Sequence, residues 1–362
     1  MRCNGRLRAM LIALLAAAAG MAAAQDTPKL LLTPQRLRRL QRDRERQTVR
    51  WINFETRVQS VPDSEQRGFE LALYYAVTHD EKRGREALQW ALAHECDWRQ
   101  VPFILDWAGE LASPEQRHKF ESRQCPADPL AGDASVESLE VGGFLHAPTL
   151  YAACVHLVIT RRAPPKFFER LPAQFLLSLQ PEQVEHPDWM THIAALAIVA
   201  VDPNLEGSQY LQAWAIEDRQ TLKDGPGVAY EFLWADPYLP GVGYQNLEPW
   251  AYDEHGWLFA RTSWDAQACW ITISTDTLEA EHCPPAWRDK PTTFGHLTLI
   301  PMTERCVDIP ARSPRETAIL WELNTDVTIS YRFEKRLQTA RANEGGMFRV
   351  PPGVQGRICS AR

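Results

Sequence analysis

The sequence predicts an α+β protein with two domains, a helical domain followed by a small antiparallel β domain. Apolar residues recur with helical spacing as far as about Leu222, and they alternate as in strands from about Trp250 onwards. Between the two patterns, residues 230–256 are rich in Pro, Gly and aromatic side chains, which is typical of a connection between domains. The 362 residues, of which 45% are hydrophobic, are enough for two cores.

The N-terminus has the pattern of a secretory signal peptide. Arg2, Arg6 and Arg8 precede a short apolar run, and small alanines at positions 22–24 come just before Gln25. The run is too short and too rich in alanine for a membrane span. We therefore expect a signal peptide over residues 1–24, a mature chain without a membrane span, and a periplasmic or secreted location.

Residues 25–229 are predicted to be helical. Thr33 can cap a first helix that begins with Pro34, and the many arginines of that helix alternate with acids, which indicates a solvated face. Residues 78–80, Thr-His-Asp, form a polar turn between two helical runs, so this part reads as an αα-hairpin. We expect roughly eight to ten helices before the connection.

Residues 257–362 are predicted to be strands. In the segment 269–274, the side chains of Cys269, Ile271 and Ile273 would face one side of a sheet and the residues between them the other. About one hundred residues with this pattern suit a small antiparallel β-sandwich.

Charge and motifs exclude several function classes. The formal net charge of −7 argues against a general nucleic-acid binder, because affinity for phosphate needs clustered Lys and Arg. The sequence has no GxSxG elbow, phosphate-binding loop, dinucleotide fingerprint or HExxH motif. The oligomeric state is left open.

Seven cysteines remain after removal of the signal peptide, and an odd number leaves at least one thiol free or paired with another molecule. None has the spacing of a zinc site, so no metal is expected. Cys283 and Cys306 flank a predicted loop and strand and are a candidate disulfide pair, although the pairing cannot be read from sequence.

Two runs, FLWADPYLP over residues 232–240 and WLFARTSWDAQACW over residues 257–270, carry a family resemblance. Together they resemble the junction of heparinase II/III-like proteins, where a helical toroid leads into a β-sandwich whose opening strands carry an Arg-Ser-x-Trp-Asp element. Here that element is residues 261–265. The resemblance implies an (α/α) toroid-like domain, incomplete because six hairpins would need more helices, and an acidic polysaccharide or oligosaccharide as partner, without a cofactor.

The family's chemistry is β-elimination from a uronic acid. It needs a group that neutralises the carboxylate, a base for the C5 proton and an acid for the leaving oxygen, and Tyr and His suit the last two tasks. The segment VGGFLHAPTLYAACVHL resembles the family's Gly-rich segment and keeps His146 and Tyr151 as catalytic candidates. Phe144-Leu145 stand where the family has a Tyr.

Further candidates lie in later segments. His192 opens an apolar helix and is a catalytic candidate, and Trp189 could stack on a sugar ring. Tyr244 is the candidate proton-transfer group of the aromatic connection, where Trp234 is a candidate sugar contact, and Arg261 is the candidate cation for substrate. A motif that the family uses for metal or catalysis aligns with residues 288–297, but only the end of it, Gly295-His296-Leu297, fits.

Two hypotheses follow. In the first, an exported heparinase II/III-like protein acts on or binds uronate-containing polysaccharide, with β-elimination as its reaction. In the alternative, a catalytically inactive glycan-binding or envelope-structural protein keeps the same scaffold. The replacement of a Tyr by Phe144-Leu145 favours the alternative, because a phenyl ring cannot relay a proton.

Overall fold

The computed structural model describes residues 30–94, 97, 100–122, 146–252, 257–274, 277–309, 316–321, 327–333, 336–342, 347–350, 354 and 356–361. The predicted signal peptide and Phe144-Leu145 lie outside the described residues. The chain divides into two compact units, residues 1–128 with 223–233 and residues 129–222 with 234–362. The predicted order, with helices first and antiparallel strands after them, is confirmed. The division into units differs from the predicted domains, because the helices of residues 146–222 share a unit with the strands.

The described part of the first unit is helical. Its helices are α1 (Pro34–Glu45), α2 (Val49–Ser60), α3 (Arg67–Thr78), α4 (Glu81–Ala93), α5 (Val101–Ala108), α6 (Pro114–Glu121) and all but the last residue of α12 (Val228–Trp234). Thr33 caps α1 through its side chain, as predicted, and Pro34 opens the helix. The predicted hairpin is also confirmed: α3 ends at left-handed His79, Asp80 caps α4, and the two helices pack together.

Buried charges hold the helices of the first unit together. Glu231 of α12 accepts from Arg50 Nε at 2.8 Å, and its side chain is only 2% exposed. The carboxylate of Glu70 is fully buried and accepts from Arg57 at 2.5 Å and from Ser64 at 3.0 Å. Such groups stay charged in the interior only when a partner compensates for the lost hydration.

One arginine of α1 departs from the predicted solvated face. Arg39 is buried, and its Nη2 donates to the carbonyl oxygens of Leu233 at 2.5 Å and of Phe232 at 3.4 Å. These carbonyls belong to the last turn of α12, where no backbone N–H is left to pair with them. The prediction of a fully solvated arginine face was therefore wrong at Arg39.

The second unit contains helices and all the described strands. The helices are α7 (Ala147–Thr160), α8 (Leu171–Ser178), α9 (Pro181–Glu185), α10 (Trp189–Val201) and α11 (Glu206–Ala215). Helix α10 packs against α7 and α11, and α8 packs against α11 and against the first two strands. Single 3₁₀ turns cover Lys166–Glu169, Asp218–Gln220, Tyr244–Asn246 and Pro285–Arg288.

The described strands form three four-stranded sheets. The first is β1 (Trp250–Tyr252), β2 (Leu258–Arg261), β3 (Trp270–Ile273) and β4 (Leu278–Glu281) in chain order. The second has the order β10 (Arg336–Ala342), β9 (Val327–Phe333), β12 (Gly356–Ala361) and β7 (Cys306–Ile309). The third has the order β11 (Met347–Arg349), β8 (Glu316–Leu320), β6 (Leu297–Pro301) and β5 (Thr292–Phe294). Neighbouring strands are antiparallel except β6 and β8, which are parallel.

The third sheet contributes side chains to two apolar cores. Leu299 and Ala318 pack with residues of the first sheet, such as Ile271, whereas the adjacent Ile300 and Ile319 belong to a second core with residues of β7, β9 and β12. Because successive side chains of a strand point to opposite faces, both faces of this sheet are buried. The alternation of side chains along β6 and β8 therefore decides which residues enter each core.

Two disulfides lie among the described residues of the second unit. Cys269 is bonded to Cys283, and Cys306 to Cys359. The candidate pair Cys283–Cys306 was therefore wrong. The register explains the observed pairing, because Cys306 of β7 lies directly opposite Cys359 of β12. Cys154 is a buried free thiol, while Cys96 and Cys125 lie outside the described residues.

A search of the described helices for a membrane span finds none with the length and apolar character needed to cross a bilayer.

Candidate functional site

Tyr244 lies at the centre of a polar and aromatic cluster in the second unit. It begins the 3₁₀ turn that follows Gly243, and only 4% of it is exposed. Its phenolic oxygen accepts a hydrogen bond from Arg219 Nη2 at 2.9 Å. Arg219 belongs to the 3₁₀ turn after α11, and 39% of its side chain is exposed. A buried phenol and a solvent-accessible guanidinium are therefore in direct contact.

Trp264 connects this pair to Arg261. The rings of Tyr244 and Trp264 meet edge to face with centroids 5.3 Å apart, and the guanidinium carbon of Arg261 lies 4.3 Å from the Trp264 ring centre. These distances are typical of favourable aromatic and cation–π contacts. We call Arg219, Tyr244, Arg261 and Trp264 the Tyr244 cluster.

The proton of Tyr244 is held firmly. Burial raises the pKa of Tyr244 above its usual 10, and the charge of Glu217 adds to this effect, whereas Arg219 opposes it. Glu217 itself accepts from Arg219 Nε at 2.6 Å. At neutral pH the phenol is therefore protonated. It can donate a hydrogen bond or a proton, but it is not a base in this state.

Arg261 is fully buried on β2. Its Nε donates to the carbonyl oxygen of Ser263 at 2.8 Å, and its Nη1 donates to that of Leu179 at 3.4 Å. In the part of the chain that the structure describes, Nη2 has no hydrogen-bond acceptor. Burial lowers the pKa of Arg261 to about 10, against the raising effect of Tyr244 and Asp265. The group remains a cation at neutral pH, and its Nη2 is buried without a described acceptor.

The element 261–270 also attaches the first sheet to helix α8. Trp270 Nε1 donates to the carbonyl oxygen of Leu177 at 2.9 Å, and Arg261 donates to that of Leu179 just beyond the helix end. The last carbonyls of a helix have no partner within the helix, so these two side chains complete its C-terminus. Arg261 therefore has a structural role whether or not it meets a ligand.

Tyr151 and Trp234 form a second contact in the same unit. Their rings are perpendicular with centroids 6.3 Å apart, and Trp234 Nε1 lies 3.4 Å from the hydroxyl of Tyr151. Tyr151 on α7 is half-buried, whereas Trp234 is buried. Of these two side chains, Tyr151 is the one with surface that a ligand could reach.

The two candidate histidines lie in different surroundings. His146 is exposed at the start of α7, where its Nδ1 lies 2.8 Å from Thr149 Oγ1. His192 is 1% exposed in the first turn of α10, with its ring 6.4 Å from that of Trp214. Trp189 opens the same helix, preceded by the cap Asp188, and is half-buried. His192 therefore lines no open groove in this conformation.

His296 makes a separate exposed pair. In the turn between β5 and β6, its backbone N–H donates to Glu248 Oε1 at 2.8 Å, and its Nδ1 lies 3.0 Å from Oε2. Burial acts to raise the pKa of Glu248, but the hydrogen bonds from His296 outweigh it and the pKa is lowered. A search for groups of three or more His, Cys, Asp or Glu that could hold a metal ion finds none among the described residues.

Of the sequence candidates, the structure therefore brings Tyr244 together with Arg261, and Tyr151 together with Trp234. Arg219 and Glu217 were missed. Both belong to a short polar segment after α11, and in the sequence nothing distinguishes Arg219 from the other 38 Lys and Arg residues. Only the approach of the two 3₁₀ turns, 25 positions apart, reveals it.

Comparison with models of known protein families gives no match for this chain, and a search of curated proteins gives none either.

Proposed function

We propose that this protein binds a uronate-containing polysaccharide or oligosaccharide at the Tyr244 cluster, as an exported heparinase II/III-like protein. The observation that carries the proposal is the contact between Arg219 and Tyr244. Arg219 uses Nε for Glu217 and Nη2 for the phenol, and a guanidinium has five N–H donors in all. The exposed remainder of this group is suited to a sugar carboxylate, whose two oxygens match its planar fork.

The buried cation of the cluster, Arg261, supports the same proposal. Arg261 is a desolvated cation with a nitrogen that lacks an acceptor among the described residues, and a buried donor left in this state costs about 1–3 kcal/mol. The unused donor lies on the guanidinium that contacts the Trp264 ring. A carboxylate or water that reaches the cluster would remove this cost.

Exposed and half-buried aromatic rings of the second unit are candidates for stacking on a sugar. Tyr238 of the aromatic connection is 48% exposed, and Trp264 and Trp189 are half-buried. Aromatic faces favour contact with the apolar faces of sugar rings, while the polar edges stay hydrated. We assign the sugar contacts to these rings rather than to the buried Trp234.

The finer architecture belongs to the same proposal. We interpret the helices as an incomplete toroid-like array, supported by the hairpin of α3 and α4 and by the paired helices α7 and α10. We interpret the sheets as a sandwich-like domain, supported by the apolar core between the first and third sheets. Export through the predicted signal peptide fits the two disulfides, which form in oxidising compartments.

β-Elimination is the second candidate function, and the protonated phenol of Tyr244 favours it. In this reaction a base takes the C5 proton, the electron pair forms the C4–C5 double bond, and the C4–O bond breaks. The leaving oxygen then needs a proton, which Tyr244 holds at neutral pH. Arg219 would neutralise the carboxylate, and His146 and His192 are the candidates for the base. The burial of His192 and Tyr244 places binding ahead of catalysis.

The test uses the purified mature protein with alginate, heparan sulfate, hyaluronan, chondroitin and glucuronan. Affinity electrophoresis measures binding, and far-ultraviolet absorbance of the unsaturated uronate measures elimination. We expect retardation by at least one polymer and an affinity loss of about tenfold in Arg219→Gln, equivalent to about 1.4 kcal/mol. The matched control is Arg85→Gln, which removes another exposed arginine that is paired with a glutamate.

Retardation by none of the polymers would contradict the binding proposal, as would equal losses in Arg219→Gln and Arg85→Gln. Unsaturated product that disappears in Tyr244→Phe would establish the second candidate. Binding without unsaturated product on any polymer would support the non-catalytic function.

A further inference from the structure

A recess of the second unit lies where two parallel strands end. Its volume is about 430 Å³, within the range that small-molecule sites occupy. The last residues of β6 and β8, Pro301 and Leu320, pair in register and both line it. The chain beyond each strand supplies more of the wall, through Met302 and Trp321.

The lining is apolar apart from two groups. Pro301, Leu320 and Trp321 are buried, and Leu278 and Met302 are half-buried. Leu278 and Leu320 belong to the core between the first and third sheets, whereas Met302 and Trp321 belong to the other core. The recess is therefore an opening at the seam between two apolar cores. Its polar contributions come from Thr303 and Arg288.

Among the described residues that line the recess, Arg288 is the ionisable one. It is exposed, and its guanidinium carbon lies 5.3 Å from the ring centre of the buried Trp287. Within the described ranges no carboxylate forms an ion pair with it. Its contact with the ring of Trp287 restricts where this cation lies. A restrained side chain loses less entropy when it binds a ligand.

We propose that this recess binds a small organic monocarboxylate with an aromatic or branched aliphatic body. The apolar walls select the hydrocarbon body of the ligand, because removing apolar surface from water lowers the free energy of binding. Arg288 selects the carboxylate, since its planar fork can donate hydrogen bonds to two oxygens at once. A dianionic phosphate ester would bring a second charge into a site with one cation, and a hydroxyl-rich uronate would lose its hydration against apolar walls. The site is therefore separate from the Tyr244 cluster and independent of the proposed glycan binding.

The test is calorimetric titration of the mature protein with 2-naphthoate and with 4-methylpentanoate. The neutral comparison ligand is 2-naphthalenemethanol, which keeps the aromatic body and lacks the charge. We expect at least one of the two carboxylates to bind with one site per chain, and the neutral alcohol to bind at least tenfold more weakly than 2-naphthoate.

Variants locate the site. Arg288→Gln should weaken carboxylate binding at least tenfold, and Thr303→Trp should block the mouth with a large side chain. Lys290→Gln is the matched control, because it removes an exposed positive charge two residues away that does not line the recess. Circular dichroism establishes that each variant is folded, and Arg219→Gln should leave carboxylate binding unchanged.

Failure of both carboxylates to bind the folded protein would overturn the proposal. Equal losses in Arg288→Gln and Lys290→Gln would also overturn it, since they would indicate a general charge effect. Binding of the neutral alcohol as tightly as 2-naphthoate would exclude a carboxylate site.

Discussion

The indole N–H of Trp270 donates a hydrogen bond to the carbonyl oxygen of Leu177 at 2.9 Å, across 93 positions of sequence. The contact joins β3 to the last turn of α8 and satisfies a carbonyl that the helix cannot satisfy itself. It lies in the segment 257–270, on which the family resemblance was predicted from the sequence. That resemblance therefore coincides with an attachment between helix and sheet.

Substitution Trp270→Phe should destabilise the protein by about 1–3 kcal/mol, because a buried carbonyl loses its only described donor from the sheet. Urea unfolding followed by circular dichroism measures the change. Trp257→Phe is the comparison, since the half-buried Trp257 stacks on Phe259 and a phenyl ring retains that contact. Equal losses in the two variants would show that the hydrogen bond to Leu177 contributes nothing measurable.

The two disulfides should differ in their contribution to stability. The bond Cys306–Cys359 closes a loop of 53 residues and Cys269–Cys283 closes one of 14, which correspond to about 4 and about 3 kcal/mol of chain entropy. We expect Cys306→Ala/Cys359→Ala to unfold at lower urea than Cys269→Ala/Cys283→Ala. Peptide mapping without reduction should recover these two pairs, and a Cys283–Cys306 peptide would contradict the structure.

Substitution Glu231→Gln should cost about 3 kcal/mol or more, because it leaves Arg50 beside a buried neutral amide. The matched control is Glu81→Gln, which breaks the exposed i,i+4 pair with Arg85 and should cost less than about 1 kcal/mol. Thermal unfolding of the two variants measures the difference. Similar midpoints would show that burial adds nothing to the Arg50–Glu231 interaction.

Gly68 and Gly109 should respond oppositely to alanine. A Cβ at Gly68 would lie 2.3 Å from the Trp90 ring and 2.7 Å from Ile104, so overpacking should cost about 1–3 kcal/mol. A Cβ at Gly109 meets nothing within 4 Å, and its φ of −60° suits any residue. Gly109→Ala should therefore be neutral or stabilising by up to about 1 kcal/mol. Unfolding midpoints decide the matter, and equal effects would contradict the packing around Gly68.

Alkaline stability should depend on Tyr75. Burial and the hydrogen bond that its hydroxyl donates to Glu110 at 2.6 Å raise the pKa of Tyr75 to about 12, above about 10 in the unfolded chain. Because the pKa is higher in the folded state, the contribution of Tyr75 to the free energy of unfolding is complete below pH 10. It is lost as the pH rises through 12. Tyr75→Phe should thus show a shallower fall of unfolding free energy between pH 10 and 12. An unchanged slope would contradict the assignment.

Features that depend on neighbouring residues could be predicted from the sequence. Thr33 and Pro34 mark a helix start, residues 78–80 mark a turn, and the change of apolar period places helices before strands. Each of these signals acts over a few residues, within one helical turn or one strand pair. Local backbone preferences are therefore sufficient to read them.

The tertiary structure alone decided which distant groups meet. The contacts of Arg261 with Leu179, of Trp270 with Leu177 and of Arg219 with Tyr244 join residues 82, 93 and 25 positions apart. The same applies to the pairing of Cys306 with Cys359, which follows from the register of β7 and β12. No local pattern encodes such pairs, because burial and register arise only when whole elements pack. Arg261 shows this most clearly: the sequence makes it a candidate cation for substrate, and packing makes it a fully buried cap of α8.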